Sequence, residues 1–199
     1  SAPHIAGRDH NNKPFMASGG LMGAWGGSMA RDGQEGISNP AANLGNTPIE
    51  LMETRQPVEI TKYSFVQNSG GPGRNRGGAA LQRGYRLLAD EANLIMRSDR
   101  RKVTPYGLSD GLPGTPSWNI INHGPDQQIL PVCPMASVPM VKGDEFIHIQ
   151  AGAGGFGDPL ERDSEKVLVD VLNELITPAY ANDVYGVVIQ DGEINVEAT

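Results

Sequence analysis

Hydrophobic residues fall in short runs separated by glycine and proline, and most of the runs carry the period of a strand. Val58 to Val66 is rich in β-branched and aromatic residues and predicts a strand. Strand character returns from Ala79 to Leu88, where a period of two puts Leu81, Arg83, Tyr85 and Leu87 on one face. Asn93 to Met96 predicts a short partner strand, and Ile129 to Val132 and Val138 to Val141 predict two more. Glu145 to Gln150 alternates, with Ile147 and Ile149 on one face and Phe146 and His148 on the other. A helical period appears near the C-terminal end: Val167, Leu168, Val171, Leu172 and Leu175 follow Asp163, a capping residue, with Glu165 in the first turn. Thr177-Pro178 opens a second short helix that ends before Gly186. Val187 to Ile189 predicts a strand, and Asp191-Gly192 a hairpin turn. Upstream, Pro48 at a first helical position predicts one or two helical turns through Glu53.

Between the runs the chain is dominated by glycine, 26 of 199 residues, about 13% against a usual share of roughly 7%, with 15 prolines besides. Residues 1–57 read as an ordered Gly-rich loop region, because a flexible linker would not carry Met22, Trp25 and Met29. Asn39-Pro40 and Thr47-Pro48 add rigid turns. Residues 105–143 form a second turn-rich block around Pro105, Gly107, Gly111, Pro113-Gly114 and Gly124-Pro125. The pattern predicts an α+β, strand-rich single domain over 1–199, with ordered Gly-rich loops and a short C-terminal helical segment. The formal net charge of −7 gives no overall positive field to attract nucleic acid or an anionic membrane. The one cysteine, Cys133, cannot form an internal disulfide and is expected to be buried as a small hydrophobe. No apolar run approaches the roughly 20 residues of a membrane span, and no secretory leader opens the chain, so the cytoplasm is the default compartment.

Two glycine runs stand out. In the first, Gly70, Gly71, Gly73, Gly77 and Gly78 surround Arg74 and Arg76. Glycines let the backbone approach another group closely, and two arginines presented between them can bind a carboxylate or phosphate. The blander alternative, which we prefer, is a tight connection whose arginines pair with carboxylates of this chain or a neighbour. No Gly-Lys-Ser/Thr follows, so the run is not a phosphate loop of the Walker type. The second run holds Gly152, Gly154, Gly155, Gly157 and Asp158. It is separated from the next helix by Pro159 to Arg162, which argues against a dinucleotide fingerprint and for a loop packed beneath another loop or lining a subunit cleft. Glu50 and Glu53, three apart on one helix face, can do acid/base work or hold a cation; the favoured reading has Glu50 serving backbone N–H groups at the helix start. His4, Asp9 and His10 are metal-capable, but their spacing matches no strong signature. His123 in a turn and His148 in a strand read as structural or solvent-facing.

In order along the chain, Gly26-Gly27-Ser28-Met29-Ala30-Arg31-Asp32-Gly33, Asn46 to Glu53, Asn68 to Gly78, Pro105 to Leu108, Gly154 to Pro159, Glu161-Arg162-Asp163 and Tyr185 to Val188 resemble the C-terminal part of the hydantoinase B/oxoprolinase family. That family includes the B component of N-methylhydantoinase, 5-oxoprolinase, caprolactamase, and subunits of acetone and acetophenone carboxylases. Members usually have Asp where Asn68 stands and Gly-Gly where Asp110-Gly111 stands. Their B components are more than twice this long, with upstream His and Asp residues that resemble a metal site.

The resemblance implies a divided reaction. A hydantoinase A-like ATPase subunit would use ATP and Mg²⁺ to phosphorylate an amide or enol oxygen. A larger hydantoinase B-like chain, with Zn or Mn, would complete a hetero-oligomer acting on a small-molecule substrate. This chain itself is expected to bind no cofactor, nucleic acid or membrane and to be inactive alone. Its expected role is in a cyclic amide hydrolase, of hydantoin, oxoproline or lactam type. The alternatives are a subunit of a ketone carboxylase and a noncatalytic assembly module. Arg74, Arg76, Glu50 and Glu53 are the candidate residues for binding substrate or intermediate; no catalytic residue or metal ligand is assigned.

Overall fold

The computed structural model describes residues 2–38, 41–42, 45–123, 125–133 and 136–199. The expected Asn39-Pro40 turn, Gly124 and the side chain of His123 lie outside the described residues. Two antiparallel sheets form the body. The first has the order β2 (Pro14–Ser18), β1 (Ala2–Arg8), β5 (Glu91–Arg97), β8 (Val138–Val141). The second has the order β3 (Val58–Phe65), β4 (Leu81–Leu87), β9 (Glu145–Ile149), β6 (Trp118–His123), β7 (Asp126–Ile129). Ile5, Leu94, Met96 and Met140 of the first sheet join Val58, Tyr85, Leu87, Ile121 and Phe146 of the second in one apolar core. Fully burying side chains of this size contributes roughly 1.5–3 kcal/mol each. Met52 of the helix α1 (Ile49–Arg55) packs on the same core, with Pro48 at its N-cap.

The predicted strands 58–66, 79–88, 138–141 and 145–150 are present as β3, β4, β8 and β9. Leu81, Arg83, Tyr85 and Leu87 do share one buried face of β4. Other expectations need correction. β5 pairs with β1 and β8, so it belongs to the opposite sheet from β4 although the two adjoin in sequence. The strand expected at 129–132 is β7, which ends at Ile129, and β6 before it was not anticipated. The hairpin of β1 and β2 stands inside what reads as loop. β1 contains Pro3 and Gly7 and one bulky aliphatic, Ile5, yet Pro3 and Ile5 turn inward as a strand requires. β2 reaches only as far as His4, so Pro3 lies where β1 is an edge on that side and its missing N–H is tolerated there. Cys133 is exposed, not buried, because it lies beyond β7 and outside both sheets.

The C-terminal residues build a second, smaller core of Val167, Ile176, Ala181, Tyr185 and Val187. Its helices are capped as the sequence predicts. The Asp163 carboxylate accepts from Glu165 N at 3.0 Å at the start of α2 (Ser164–Leu172). Thr177 Oγ1 accepts from Tyr180 N at 3.2 Å at the start of α3 (Pro178–Tyr185). Gly186 ends α3 at φ 69°, a conformation open to glycine at little cost. Leu172 is exposed, against expectation, because the inward row of α2 is Val167 and Asp170. Asp191 and Gly192, both at positive φ, turn the hairpin between β10 (Ile189–Gln190) and β11 (Glu193–Ile194). No helix among the described residues is long and apolar enough to cross a membrane.

Candidate functional site

The glycine runs fold against one another without forming a sheet. Gly71 N donates to Ala153 O (2.7 Å), Ala153 N to Gly78 O (3.0 Å), Gly155 N to Leu112 O (3.0 Å) and Leu112 N to Pro72 O (2.8 Å). The segment 23–36 closes the bundle: Gly27 N donates to Gly154 O (2.9 Å) and Gly33 N to Arg76 O (2.7 Å). Backbones thus lie directly on backbones. A Cβ built on Gly77, Gly152, Gly154 or Gly155 would collide with a carbonyl of a neighbouring segment, and none of these four has positive φ. The run therefore needs glycine for close approach, not for backbone conformation. Gly70, Gly71, Gly73 and Gly78 sit under the same constraint. Gly157, at φ 77°, is the exception that also needs the left-handed region. Asp158 caps the 3₁₀ turn Pro159–Glu161 by accepting from Leu160 N at 2.9 Å.

A buried ionic cluster ties this bundle to the C-terminal core. The Asp170 carboxylate accepts from Arg76 Nε at 2.9 Å and from Arg162 Nη2 at 2.7 Å. Arg76 Nη1 also reaches Glu35 at 2.5 Å. Arg162 makes a bidentate pair with Asp32, at 2.6 and 3.1 Å. Burial alone would raise the Asp32 carboxyl, but the hydrogen bond and charge of Arg162 and the amide of Arg76 outweigh it and hold it below the usual carboxylate range. Asp32 and Glu35, Arg76, Arg162 and Asp170 come from separate stretches of the chain, so no local spacing points to them as a group.

The structure places the candidate residues as follows. The guanidinium of Arg76 is buried and engaged within the chain by Asp170, Glu35 and the carbonyl of Gly77, as the preferred reading expects. Arg74 is about half exposed and pairs loosely with Glu161 at 3.4 Å. Glu50 and Glu53 are exposed on α1, a helix that packs on the main core and takes no part in the ionic cluster. Glu53 accepts from Ile60 N at 2.7 Å, tying α1 to β3, whereas Glu50, in the first turn, makes no side-chain hydrogen bond to the helix start among the described residues. His4 stands in β1, whereas Asp9 and His10 are in the following turn, where Asp9 accepts from the amides of Asn11 and Lys13. Among the described residues no group of three or more His, Cys, Asp or Glu is placed to hold a metal ion.

Beside the bundle lies a cleft of about 890 Å³. Leu21, Trp25 and Gly154 line one part of it, the residues after β5 another, and His148 and Gln150 its floor. His148 is fully buried, which fits the structural one of its two expected readings and excludes the solvent-facing one. Its Nδ1 lies 2.7 Å from Asn119 Oδ1. Asn119 Nδ2 faces the Pro131 carbonyl, which can only accept, so Oδ1 faces the imidazole and Nδ1 carries the proton. Burial pushes the imidazole down to about 3, which makes it a neutral hydrogen-bonding group and a poor base near neutral pH. Gln150 Nε2 donates to Leu21 O at 2.6 Å and anchors the opposite wall.

The buried imidazole makes a prediction for stability. Below its ordinary value of 6.5 the unfolded chain takes up a proton that the folded chain refuses until about 3. Stability is thus expected to fall as pH drops below 6.5, approaching roughly 1.4 kcal/mol per pH unit. Urea midpoints compared near pH 7, 6 and 5 measure this; a flat profile would mean that His148 is protonated in the native state.

Comparison with known proteins places this geometry. The family model for hydantoinase B/oxoprolinase matches residues 1–159, from β1 through the whole glycine bundle. The B component of a putative D-/L-hydantoinase from Pseudomonas sp. (strain NS671) is 33% identical over 181 residues, covering 90% of this chain and 30% of that protein. The beta chain of caprolactamase from Pseudomonas jessenii is 29% identical, covering 100% of this chain and 36% of that protein. A nucleotide-free structure of acetone carboxylase, at 19% identity, shares the fold with a TM-score of 0.82 over 100% of this chain and 32% of its own. The chain spans about a third of the length of these relatives. Motif order, fold and the match through the glycine bundle agree, and the chain belongs to the hydantoinase B/oxoprolinase family.

Proposed function

We propose that the chain forms part of an ATP-dependent cyclic amide hydrolase of hydantoin, oxoproline or lactam type, and there supports conversion of a phosphorylated intermediate. The observation that carries this reading is the glycine bundle. It is a wall of backbone fixed on neighbouring backbone, it borders the cleft, and the family match runs through it from end to end. A wall that does not yield is what an activated amide needs, since water must be kept from the intermediate until it is positioned. The relatives named as hydantoinase and caprolactamase components support the hydrolase reading. ATP and Mg²⁺ belong to a hydantoinase A-like subunit in this proposal. A Zn or Mn ion is assigned in this proposal to a larger hydantoinase B-like chain, whose upstream His and Asp residues resemble a metal site.

Purification with the neighbouring chains tests the proposal. The expected result is association with an ATPase-like and a larger B-like protein, with ATP turnover stimulated by a cyclic amide and independent of bicarbonate. Bicarbonate-dependent turnover would replace the hydrolase with a carboxylase. A monomer that associates with neither protein would overturn the reading altogether.

A further inference from the structure

The arginines that sequence reading singled out are not the ones that line the cleft. Arg76 is engaged by carboxylates inside the chain, and Arg74 leans on Glu161 outside the cleft. Arg97 and Arg100, in contrast, line the cleft, are exposed, and make no ion pair or side-chain hydrogen bond among the described residues. Arg97 is the last residue of β5 and is fixed by its register opposite Ala2. Arg100 holds φ 61°, a left-handed conformation that a residue with a Cβ adopts at a cost of order 1 kcal/mol or more. Its carbonyl accepts from Ser117 N at 3.2 Å, which holds the turn in place. Two cationic side chains thus stand at the edge of the cleft on a backbone fixed by β5 and by the Ser117 hydrogen bond.

We infer that this cleft binds a small organic oxyanion, a carboxylate or a phosphate monoester, with Arg97 and Arg100 at the charged end and Trp25 and Tyr106 along its body. Asp99 lines the cleft as well, so two cations and one carboxylate from this turn leave one net positive charge, in a chain whose formal charge is −7. The anion must therefore be drawn by local charge, and this turn supplies it. The floor works in the same direction. The His148 ring is neutral and Gln150 is an uncharged amide, so nothing there competes with the arginines for the charged end. Trp25 and Tyr106 are exposed aromatic side chains on the cleft wall, suited to an apolar or planar body. The arginines differ from a general electrostatic patch in that Lys102, two residues on, does not line this cleft.

The inference is read from the cleft's own chemistry. Binding to the chain and turnover by an assembly are separate readouts, so it stands or falls apart from the proposed function. Titration calorimetry of the full chain with benzoate, phenyl phosphate and benzamide tests it. At least one of the two anions is expected to bind, and which of them binds more tightly identifies carboxylate or phosphate as the natural group. The neutral benzamide is expected to bind at least tenfold more weakly. Arg97→Gln with Arg100→Gln is expected to weaken the anion at least tenfold while leaving the melting temperature unchanged, since both side chains are exposed. Lys102→Gln is expected to leave binding intact. Absence of binding by both anions, equal binding of benzamide, or an equal loss in Lys102→Gln would overturn the inference.

Discussion

Gly152→Ala is expected to unfold the protein or to destabilise it by roughly 4 kcal/mol or more, the upper end of single-substitution effects. The methyl group would meet the Ser69 carbonyl, whose carbon would lie 2.6 Å away. Side chains can rotate away from such a collision; Ser69 cannot. Its carbonyl accepts from Thr115 N at 3.1 Å, and its hydroxyl is held between Val66 O and Ala80 N at 2.5 and 2.7 Å. Relief would require moving two segments of the bundle together. Gly23→Ala is the matched control. It has a non-left-handed backbone and nothing within 4 Å of its would-be Cβ, so it is expected to be neutral or stabilising by about 0.4–1 kcal/mol, through a smaller unfolded-state entropy. Denaturant unfolding of the two variants decides the matter. Equal losses would show that the bundle requires glycine for some reason other than close approach.

That contrast also shows where sequence reading reaches its limit. The run Gly70 to Gly78 announces tight packing, but not against what, because most of its glycines contact a segment tens of residues distant. The caps at Asp163 and Thr177 and the period of β4 and β9 were legible because they depend on neighbours within a few positions. The hairpin of β1 and β2 was not, since its strands are held by β5 and by a core that forms only in the folded chain. The same distinction governs the site. Arg74 and Arg76 drew attention by their glycine frame, while Arg97 and Arg100 sit in an unremarkable polar stretch, Ser98 to Lys102 and its flank. The cleft assigns the roles, and it is assembled from pieces of both sheets and the bundle. His148 was placed on the correct strand and face, yet its burial follows from Asn119 on β6, a strand that the sequence did not reveal.

Asp170→Asn is expected to destabilise the chain by roughly 3–5 kcal/mol, as breaking a buried ion pair generally does. Asp170 is the shared member of the cluster, with one oxygen for Arg76 and the other for Arg162. An asparagine keeps the shape but turns an N–H₂ group toward one of the guanidiniums, so a donor meets a donor and a buried positive charge loses its neutralising partner. Asp32→Asn should cost less, because Asp32 is 29% exposed and Arg162 keeps Asp170. Acid bears on Asp32 as well. The depressed Asp32 carboxyl contributes stability that is present above its ordinary value of 3.8 and lost as pH falls through the lower folded value. Unfolding midpoints of the two variants at neutral pH test the ranking. If Asp170→Asn costs no more than Asp32→Asn, the bundle and the C-terminal core are joined by their apolar contacts and not by this cluster. The ranking matters for function because Arg76 sits between Asn75 and Gly77 in the bundle that borders the cleft, and Arg162 donates to the Arg74 carbonyl at 3.1 Å. Loss of Asp170 should therefore loosen the cleft wall from behind, weakening ligand binding without touching a residue that lines the cleft.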